Sequence, residues 1–448
     1  MIPCFQAILI ALVTLSLLAQ SPPKRKKVKN FGSSLKRLQW NAEKNAAEMR
    51  QDKKNASADE VDVIRIDTSL VSSDILVLDR KGKNISGLTA EDFSITEDGV
   101  PQTVGHFFNG DNVDVPRTIV LIIDYSGSQS PYLYNSVKAA KLLVDKLGPK
   151  DMMAIVTDDV EMIQDFTTDK RKLKEKLDTL IDLVLGRNRS FDSEGFPRGQ
   201  GFGRIGRSQQ YSALMATLNE VFQEDDVRRI VIFQTDGDEA YYLRNPRVDL
   251  AVPPGLTGKS LKAAQDSLRL FQEFLPEKGR EFALDDLYRA VEKQHVTLYT
   301  VIPGIRLWGL PPEEQYRKWQ PYLMAQTPGW MGHLPSDRRA DMKERLQKDP
   351  LNSDEILIKT HIERTAKLQA MLASVATVSG GWADFLEKPE QADAIYSRIF
   401  SDINQRYIVG YYPTNKERDG KRRKLEFKVK EHPEYQVYGR VSYFAPEP

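Results

Sequence analysis

Residues Arg117–Ser130 read RTIVLIIDYSGSQS. Thr118 to Ile123 is an apolar, β-branched run, the pattern of a strand buried on both faces in a parallel sheet. The run delivers Asp124 to the strand's C-terminal edge. Two hydroxyls follow at alternate positions, Ser126 and Ser128, with Gly127 letting the loop turn tightly. Leu133, Val137, Ala140, Val144 and Leu147 then fall on one face of a helix. A carboxylate and two hydroxyls therefore sit on a loop between a buried strand and a helix, where open α/β sheets hold their ligands. An ordinary helix N-cap loop has the same composition, so the assignment depends on the rest of the chain.

A matching strand lies further on. Arg229–Gln234, RIVIFQ, runs into Thr235-Asp236-Gly237-Asp238. Between the two, Met152–Thr157 and Met162–Phe166 read as strands and Lys170–Leu183 as an amphipathic helix. Gly186–Arg207 is Gly- and Arg-rich and reads as a loop; a helix from about Tyr211 to Phe222 follows. Beyond the second strand come a helix over Ala283–Lys293 and a strand over Val296–Ile302. Pro303 to about Thr365 reads as a largely helical insertion. Leu368–Val378 is a helix, Gly380-Gly381 a turn and Trp382–Phe385 a last short strand. This alternation predicts an α/β fold with a doubly wound, mainly parallel sheet over residues 116–386.

The flanks differ. In 60–115, short β-prone runs (Asp74–Asp79, Phe93–Thr96, Val104–Phe107) are separated by turn signals such as Asp98-Gly99. In 387–448 a helix over Gln391–Asn404 precedes alternating strands at Tyr407–Tyr412, Arg423–Lys430 and Gln436–Phe444. These strands cannot extend a parallel sheet without crossovers. The expectation is an accessory β-sandwich-like module built from both chain ends.

The chain has 448 residues, 40% of them hydrophobic and 28% charged, with 64 Lys+Arg against 63 Asp+Glu. That balance gives no reason to expect a nucleic-acid partner. The single cysteine, Cys4, and five histidines exclude a zinc cluster and a disulfide framework. Phe5 to Leu18 is nearly continuously apolar and ends at Ala19-Gln20, the length of a signal-peptide core. Residues 1–20 are thus expected to be a signal peptide on an exported protein. KRKKVK at Lys24–Lys29 reads by the positive-inside rule as an uncleaved anchor instead, and membrane association is expected only through such an anchor. Residues 21–59 are polar and read as a linker.

Asp124, Ser126, Ser128 and Asp236 at neighbouring strand ends would form an all-oxygen site. Such a site suits a hard cation, Mg²⁺, with Ca²⁺ or Mn²⁺ possible. Asp-x-Ser-x-Ser resembles the metal-ion-dependent adhesion site of the von Willebrand factor type A fold. In that fold a threonine on an intervening loop completes the site, and the resemblance places Ser208 there, without the usual Gly-Gly pair. Over roughly Val61–Phe444 the chain resembles the acidobacterial VWFA-related domain family. The stretches that carry it are VLDRKGKNISGLTAEDFSITEDG, IVLIIDYSGS, IVIFQTDGD, SVATVSGGWADF and QRYIVGYYPTN. The resemblance implies an exported bacterial protein with no assigned reaction, its cation completed by an Asp or Glu carboxylate of a protein ligand. The insertion at Pro303–Thr365 and the loop around Ser208 depart from that pattern.

Three function classes follow. The first is non-enzymatic, cation-dependent protein binding. The second is a structural envelope protein with a degenerate site. The third is a Mg²⁺-dependent hydrolase, which the absence of a Gly-Lys-Ser/Thr phosphate loop and of a Gly-x-Ser-x-Gly elbow disfavours. Tyr407, Tyr411 and Tyr412 read as sheet packing. Trp308, Trp319 and Trp330 read as a small core of the insertion.

Overall fold

A polar hairpin and four strands of a separate sheet system precede the α/β layer. The computed structural model describes residues 25–41, 43, 46–50, 70–109, 116–126, 129, 132–185, 190–191, 197–198, 208–223, 228–244, 280–319, 340, 344 and 355–446. The expected signal peptide, Ser128, Trp330 and most of the insertion lie outside these. Met1–Asn30 forms one unit and Phe31–Pro448 another, and the elements below all belong to the second. Among the described residues no helix is long and apolar enough to cross a membrane.

The hairpin is β1 (Leu38–Asn41) and β2 (Ala46–Met49). Next come β3 (Val71–Leu78), β4 (Phe93–Glu97), β5 (Val100–Gln102) and β6 (Val104–Phe108). The α/β layer runs β7 (Arg117–Ile123), α1 (Leu133–Lys146), β8 (Met152–Thr157), β9 (Glu161–Thr167), α2 (Lys170–Leu185), a two-residue ladder of β10 (Ser190–Phe191) and β11 (Pro197–Arg198), then α3 (Gln210–Glu220). It continues through β12 (Arg228–Gln234), α4 (Leu284–Gln294), β13 (Thr297–Pro303), α5 (Glu355–Val378), β14 (Ala383–Leu386) and α6 (Ala392–Gln405). The chain closes with β15 (Tyr407–Tyr411), β16 (Arg422–Val429), β17 (Gln436–Tyr438) and β18 (Ser442–Phe444).

The central sheet has the order β14-β13-β12-β7-β8-β9. All neighbours are parallel except the edge pair β8–β9. This is the doubly wound, mainly parallel sheet that the type A resemblance implies. Every residue of β7 is buried, as a strand covered by helices on both faces requires. Its side chains alternate between two cores. Ile119, Leu121 and Ile123 join Leu143, Leu177 and Ile399, from α1, α2 and α6. Val120 and Ile122 join Leu214, Leu287 and Leu372, from α3, α4 and α5.

The strands outside this layer form two four-stranded sheets, β17-β3-β15-β6 and β18-β16-β4-β5. Each mixes strands from before and after the α/β layer, so neither chain end can build a sheet alone. Strand β16 alternates strictly between exposed and buried positions, the period-2 signature of a sheet with one wet face. Its Leu425, Phe427 and Val429 meet Val71, Ile75, Phe93, Tyr407 and Tyr411 in a shared core. Two buried tyrosines, Tyr411 and Tyr443, donate to the buried Glu97 carboxylate at 2.5 and 2.9 Å.

Arg406, at the end of α6, ties the sandwich to the α/β layer. Its Nε and Nη2 donate to Asp402 at 2.6 and 3.0 Å, Nη2 also to the Gly380 carbonyl at 2.7 Å, and Nη1 to the Asp74 carbonyl of β3 at 3.2 Å. Both Arg406 and Asp402 are buried. Beside them the turn at Gly380-Gly381 comes so close to β13 that a Cβ on Gly381 would lie 1.9 Å from the Leu298 carbonyl oxygen.

Part of the stretch expected as a linker is docked instead. The amides of Gly32 and Ser34 donate to the Glu220 carboxylate at the end of α3 (2.9 and 2.6 Å). Ala47 of β2 donates to Asp286 at 3.0 Å, and Phe31, Leu35, Leu38 and Ala47 pack against the second α/β core. Carboxylate-to-amide bonds hold this segment, which hydrophobic patterning does not reveal. Helix α5 begins at Glu355, before the Leu368 expected. Ile362 and Ala366 join Leu307, Tyr316 and Trp319 in a small separate core that supports its first turns.

Candidate metal centre

The strand order reverses between β7 and β12, and ligands of doubly wound sheets bind at the C-terminal edge of such a switch point. The two strands are in register, Gln234 opposite Ile123, and the Asp124 amide donates to the Gln234 carbonyl at 3.0 Å. One more residue on each strand places Asp124 beside Thr235, and the next turn carries Asp236.

Asp124 is buried and held by three donors. Its Oδ1 accepts the Ser126 amide at 2.9 Å. Its Oδ2 accepts the Thr235 hydroxyl at 2.8 Å and Gln210 Nε2 at 3.0 Å. Asp236 Oδ2 accepts Gln129 Nε2 at 2.8 Å, and Oδ1 accepts the Asp238 amide at 3.3 Å. Gln210 Nε2 also donates to Asp238 Oδ1 at 2.8 Å and lies 3.5 Å from Asp236 Oδ1. Three carboxylates thus converge on one side-chain amide at the start of α3. Gln210 is fixed from behind, because its Oε1 accepts the Glu239 amide at 3.1 Å. The αL residue Gly237 turns the chain so that Asp236 and Asp238 both face the crevice.

Of the expected residues, Asp124 and Asp236 are brought together on Gln210, and Ser126 abuts Asp124 through its backbone. Ser208 is buried near the crevice, with its hydroxyl on Asp238. Burial, and then the charge of Asp124, raise the Asp238 pKa; donation by Gln210 and Ser208 partly opposes this. Gln129, Gln210 and Asp238 complete the crevice without standing out in the sequence. The only signal was the second aspartate of Thr-Asp-Gly-Asp. Asp158 lines the adjoining loop, accepting the Tyr125 amide at 3.2 Å, while its own carbonyl accepts the Gln209 amide at 2.9 Å.

Among the described residues no group of three His, Cys, Asp or Glu side chains is arranged to hold a metal ion on its own. A cation here would draw on hydroxyl and amide oxygens as well as carboxylates. The residues present fit such an ion. The donor set is all oxygen, matching hard cations. Gln129 Oε1 is buried without a hydrogen-bond partner, although buried carbonyl oxygens are normally satisfied. Its amide group is held against Asp236, so an acceptor lies unused beside the carboxylates.

No family model and no curated protein sequence matches the chain. Among solved structures it is similar to a von Willebrand factor type A protein from Catenulispora acidiphila, at 9% identity and TM-score 0.31, covering 85% of this chain and 74% of that one. It is similar to the vWF domain of the type V pili tip protein Mfa5 from Porphyromonas gingivalis, at 13% identity and TM-score 0.32, covering 65% and 95%. It is also similar to the manganese-loaded TRAP protein of Plasmodium vivax, at 10% identity and TM-score 0.26, covering 80% and 100%.

Proposed function

We propose that the chain is a non-enzymatic, divalent-cation-dependent protein-binding module of an exported protein. Asp124, Ser126, Ser128, Ser208 and Asp236 are its ligand set, with Mg²⁺ the expected ion and Mn²⁺ or Ca²⁺ alternatives. The observation that carries this reading is the convergence of Asp124 and Asp236 at the switch point, with the unused Gln129 oxygen beside them. The bound ion supplies a hard Lewis-acid position for an Asp or Glu carboxylate of a partner protein. The chain's own residues do the rest. Ser126, through its amide, and Thr235 fix Asp124 in one orientation, Gln129 fixes Asp236, and Asp238 holds the Ser208 hydroxyl at the crevice.

The test is calorimetric titration of the purified chain with Mg²⁺ and Mn²⁺. One ion should bind per chain, and Asp124→Ala should abolish binding while circular dichroism stays unchanged. Absence of heat and of any thermal shift in the wild type at millimolar cation would overturn the reading. The location is tested by sequencing the mature N-terminus, expected near Gln20 or Ser21 outside the cytoplasm; intact Met1 in a cytoplasmic fraction contradicts it.

A second reading is favoured by one observation: the Gln210 amide already lies among the three carboxylates and satisfies them. On that reading the crevice is a structural hydrogen-bond network of a degenerate site, and the same titration shows no cation dependence.

A further inference from the structure

Residues 31–41 and 46–49 form a strap that touches each element carrying the crevice. The first contact is the turn between β8 and β9. Gly32 abuts Val160 there, so closely that a Cβ on the glycine would lie 3.0 Å from Val160 Cγ1. Val160 has a φ of 62°, left-handed backbone that a β-branched residue rarely adopts. Such strain persists only where the surroundings over-determine it, and it clusters at ligand sites and switch regions. The same turn orients the crevice loop. Asp158 Oδ1 accepts the Tyr125 amide at 3.2 Å, and Asp159 Oδ2 accepts the Tyr125 hydroxyl at 2.6 Å. Tyr125 stands between Asp124 and Ser126. The Asp158 carbonyl accepts the Gln209 amide, one residue before Gln210.

The second contact is the far end of α3, the helix that Gln210 opens. The Gly32 and Ser34 amides both converge on the Glu220 carboxylate. A carboxylate in the last turn of a helix opposes the helix dipole, and two backbone amides pointing at it offset that cost. The third contact is with the chain that follows Asp238. A 3₁₀ turn runs over Asp238–Tyr242, and two residues later the Arg244 guanidinium stacks on the Trp40 ring at 3.7 Å. The strap's own hold is slight. Its Phe31, Leu35, Leu38 and Ala47 are only half-buried, and Lys36 and Arg37 between them are exposed. A segment with so few buried apolar contacts opens well before the core does.

We infer that this strap regulates the crevice: docked, it holds the 124–126 loop, Gln210 and Asp238 in the arrangement that takes a cation, and released, it weakens cation binding. The inference rests on the cation-binding reading above. Without Gly32 against it, Val160 relaxes towards negative φ. Asp158 and Asp159 move with it, and Tyr125 loses the acceptors that orient its loop. Gly32, Glu220 and Trp40 are thus positioning residues, acting through the turn, through α3 and through the 3₁₀ segment. The coupling is reciprocal. An ion that binds the ordered loop more tightly shifts the strap towards its docked state by the same factor.

The test compares the full chain with Glu220→Ala, which removes both acceptors, Glu220→Gln, which keeps one, and Trp40→Ala, which removes the stacking on Arg244. Trypsin cleavage after Lys36 and Arg37, measured in chelator, should be faster in both alanine variants, and millimolar Mn²⁺ should slow it at least fivefold in the wild type. Calorimetric titration with Mn²⁺ should show at least fivefold weaker binding in both alanine variants, with Glu220→Gln in between. Hydrogen exchange of the peptides containing Tyr125 and Gln209, measured in chelator, should be faster in both alanine variants. If the wild type binds no Mn²⁺, the cation reading fails, and the exchange measurement alone decides whether the strap controls the crevice. Unchanged cleavage in both alanine variants would show that these contacts do not hold the strap and would overturn the inference. Faster cleavage with unchanged exchange at both peptides, or with unchanged Mn²⁺ affinity, would overturn it as well.

Discussion

Replacing Arg406 by methionine tests how the sandwich is joined to the α/β layer. The change keeps most of the side chain's volume and removes four hydrogen bonds, two to Asp402, one to the Gly380 carbonyl and one to the Asp74 carbonyl. Asp402 would keep the Trp382 indole N–H at 2.7 Å but lose its counter-charge while buried. Breaking a buried pair from one side costs about 3–5 kcal/mol. If Phe31–Pro448 melts in one transition, an unfolding entropy of about 2 cal/mol/K per residue over roughly 400 residues gives about 0.8 kcal/mol/K. The melting temperature should therefore fall by about 4–6 °C in scanning calorimetry. Asp402→Leu combined with Arg406→Met removes both charges and should recover at least half of that loss, a non-additivity that urea unfolding can read independently. A loss below about 1 kcal/mol in the single variant, or a double variant as damaged as the sum of its parts, would show that this pair is not the joint.

Three further perturbations address other sites. Gly381→Ala forces a Cβ to within 1.9 Å of the Leu298 oxygen, so the turn must move; a loss of about 2–4 kcal/mol is expected in urea unfolding, and a neutral outcome would contradict the close approach. Asp286 caps α4 and holds Ala47, and burial raises its pKa against the pull of the Ala283 and Ala47 amides. A carboxyl with a raised folded pKa contributes stability below its unfolded pKa and loses it as pH rises through the folded value. Asp286→Asn should therefore compare better with the wild type at pH 7 than at pH 4, and a pH-independent difference would refute this. Gln210→Ala strips Asp124 and Asp238 of a shared donor, so in chelator it should lose about 2–4 kcal/mol. Adding Mg²⁺ should then raise its melting temperature by more than it raises the wild type's, and equal shifts would argue against a cation at that position.

The parts of the fold that burial patterns specify were legible from residues alone. Thr118–Ile123 and Arg229–Gln234 are too apolar for any strand not covered on both sides, and their C-terminal aspartates mark the crevice. That strands from the two chain ends share sheets follows from strands that a parallel sheet could not take up; which strand meets which, β3 with β15 and β4 with β16, only the fold shows. The amide groups were not legible. Gln129 and Gln210 act through geometry, since a glutamine in a loop or at a helix start carries no spacing signal, and only the fold shows that both reach the carboxylates. The docked segment at 32–49 escaped for the same reason, because Glu220 holds Gly32 and Ser34, and Asp286 holds Ala47 of the hairpin, by backbone amides that every sequence possesses.

The interleaved sheets set an order of events during synthesis. Glu97 must wait for Tyr411, 314 residues later, which at about 5–20 residues per second is roughly 15–60 s of translation. Throughout that interval β3 to β6 have unpaired edges and half a core. The α/β layer, whose own strands span a shorter stretch, has time to fold first and to present the lower ends of β12 and β13 as a floor. The sandwich then closes onto that floor when its last strands arrive. The early strands thus spend that interval exposed, and a slow codon cluster after α6 would lengthen it without changing a single residue.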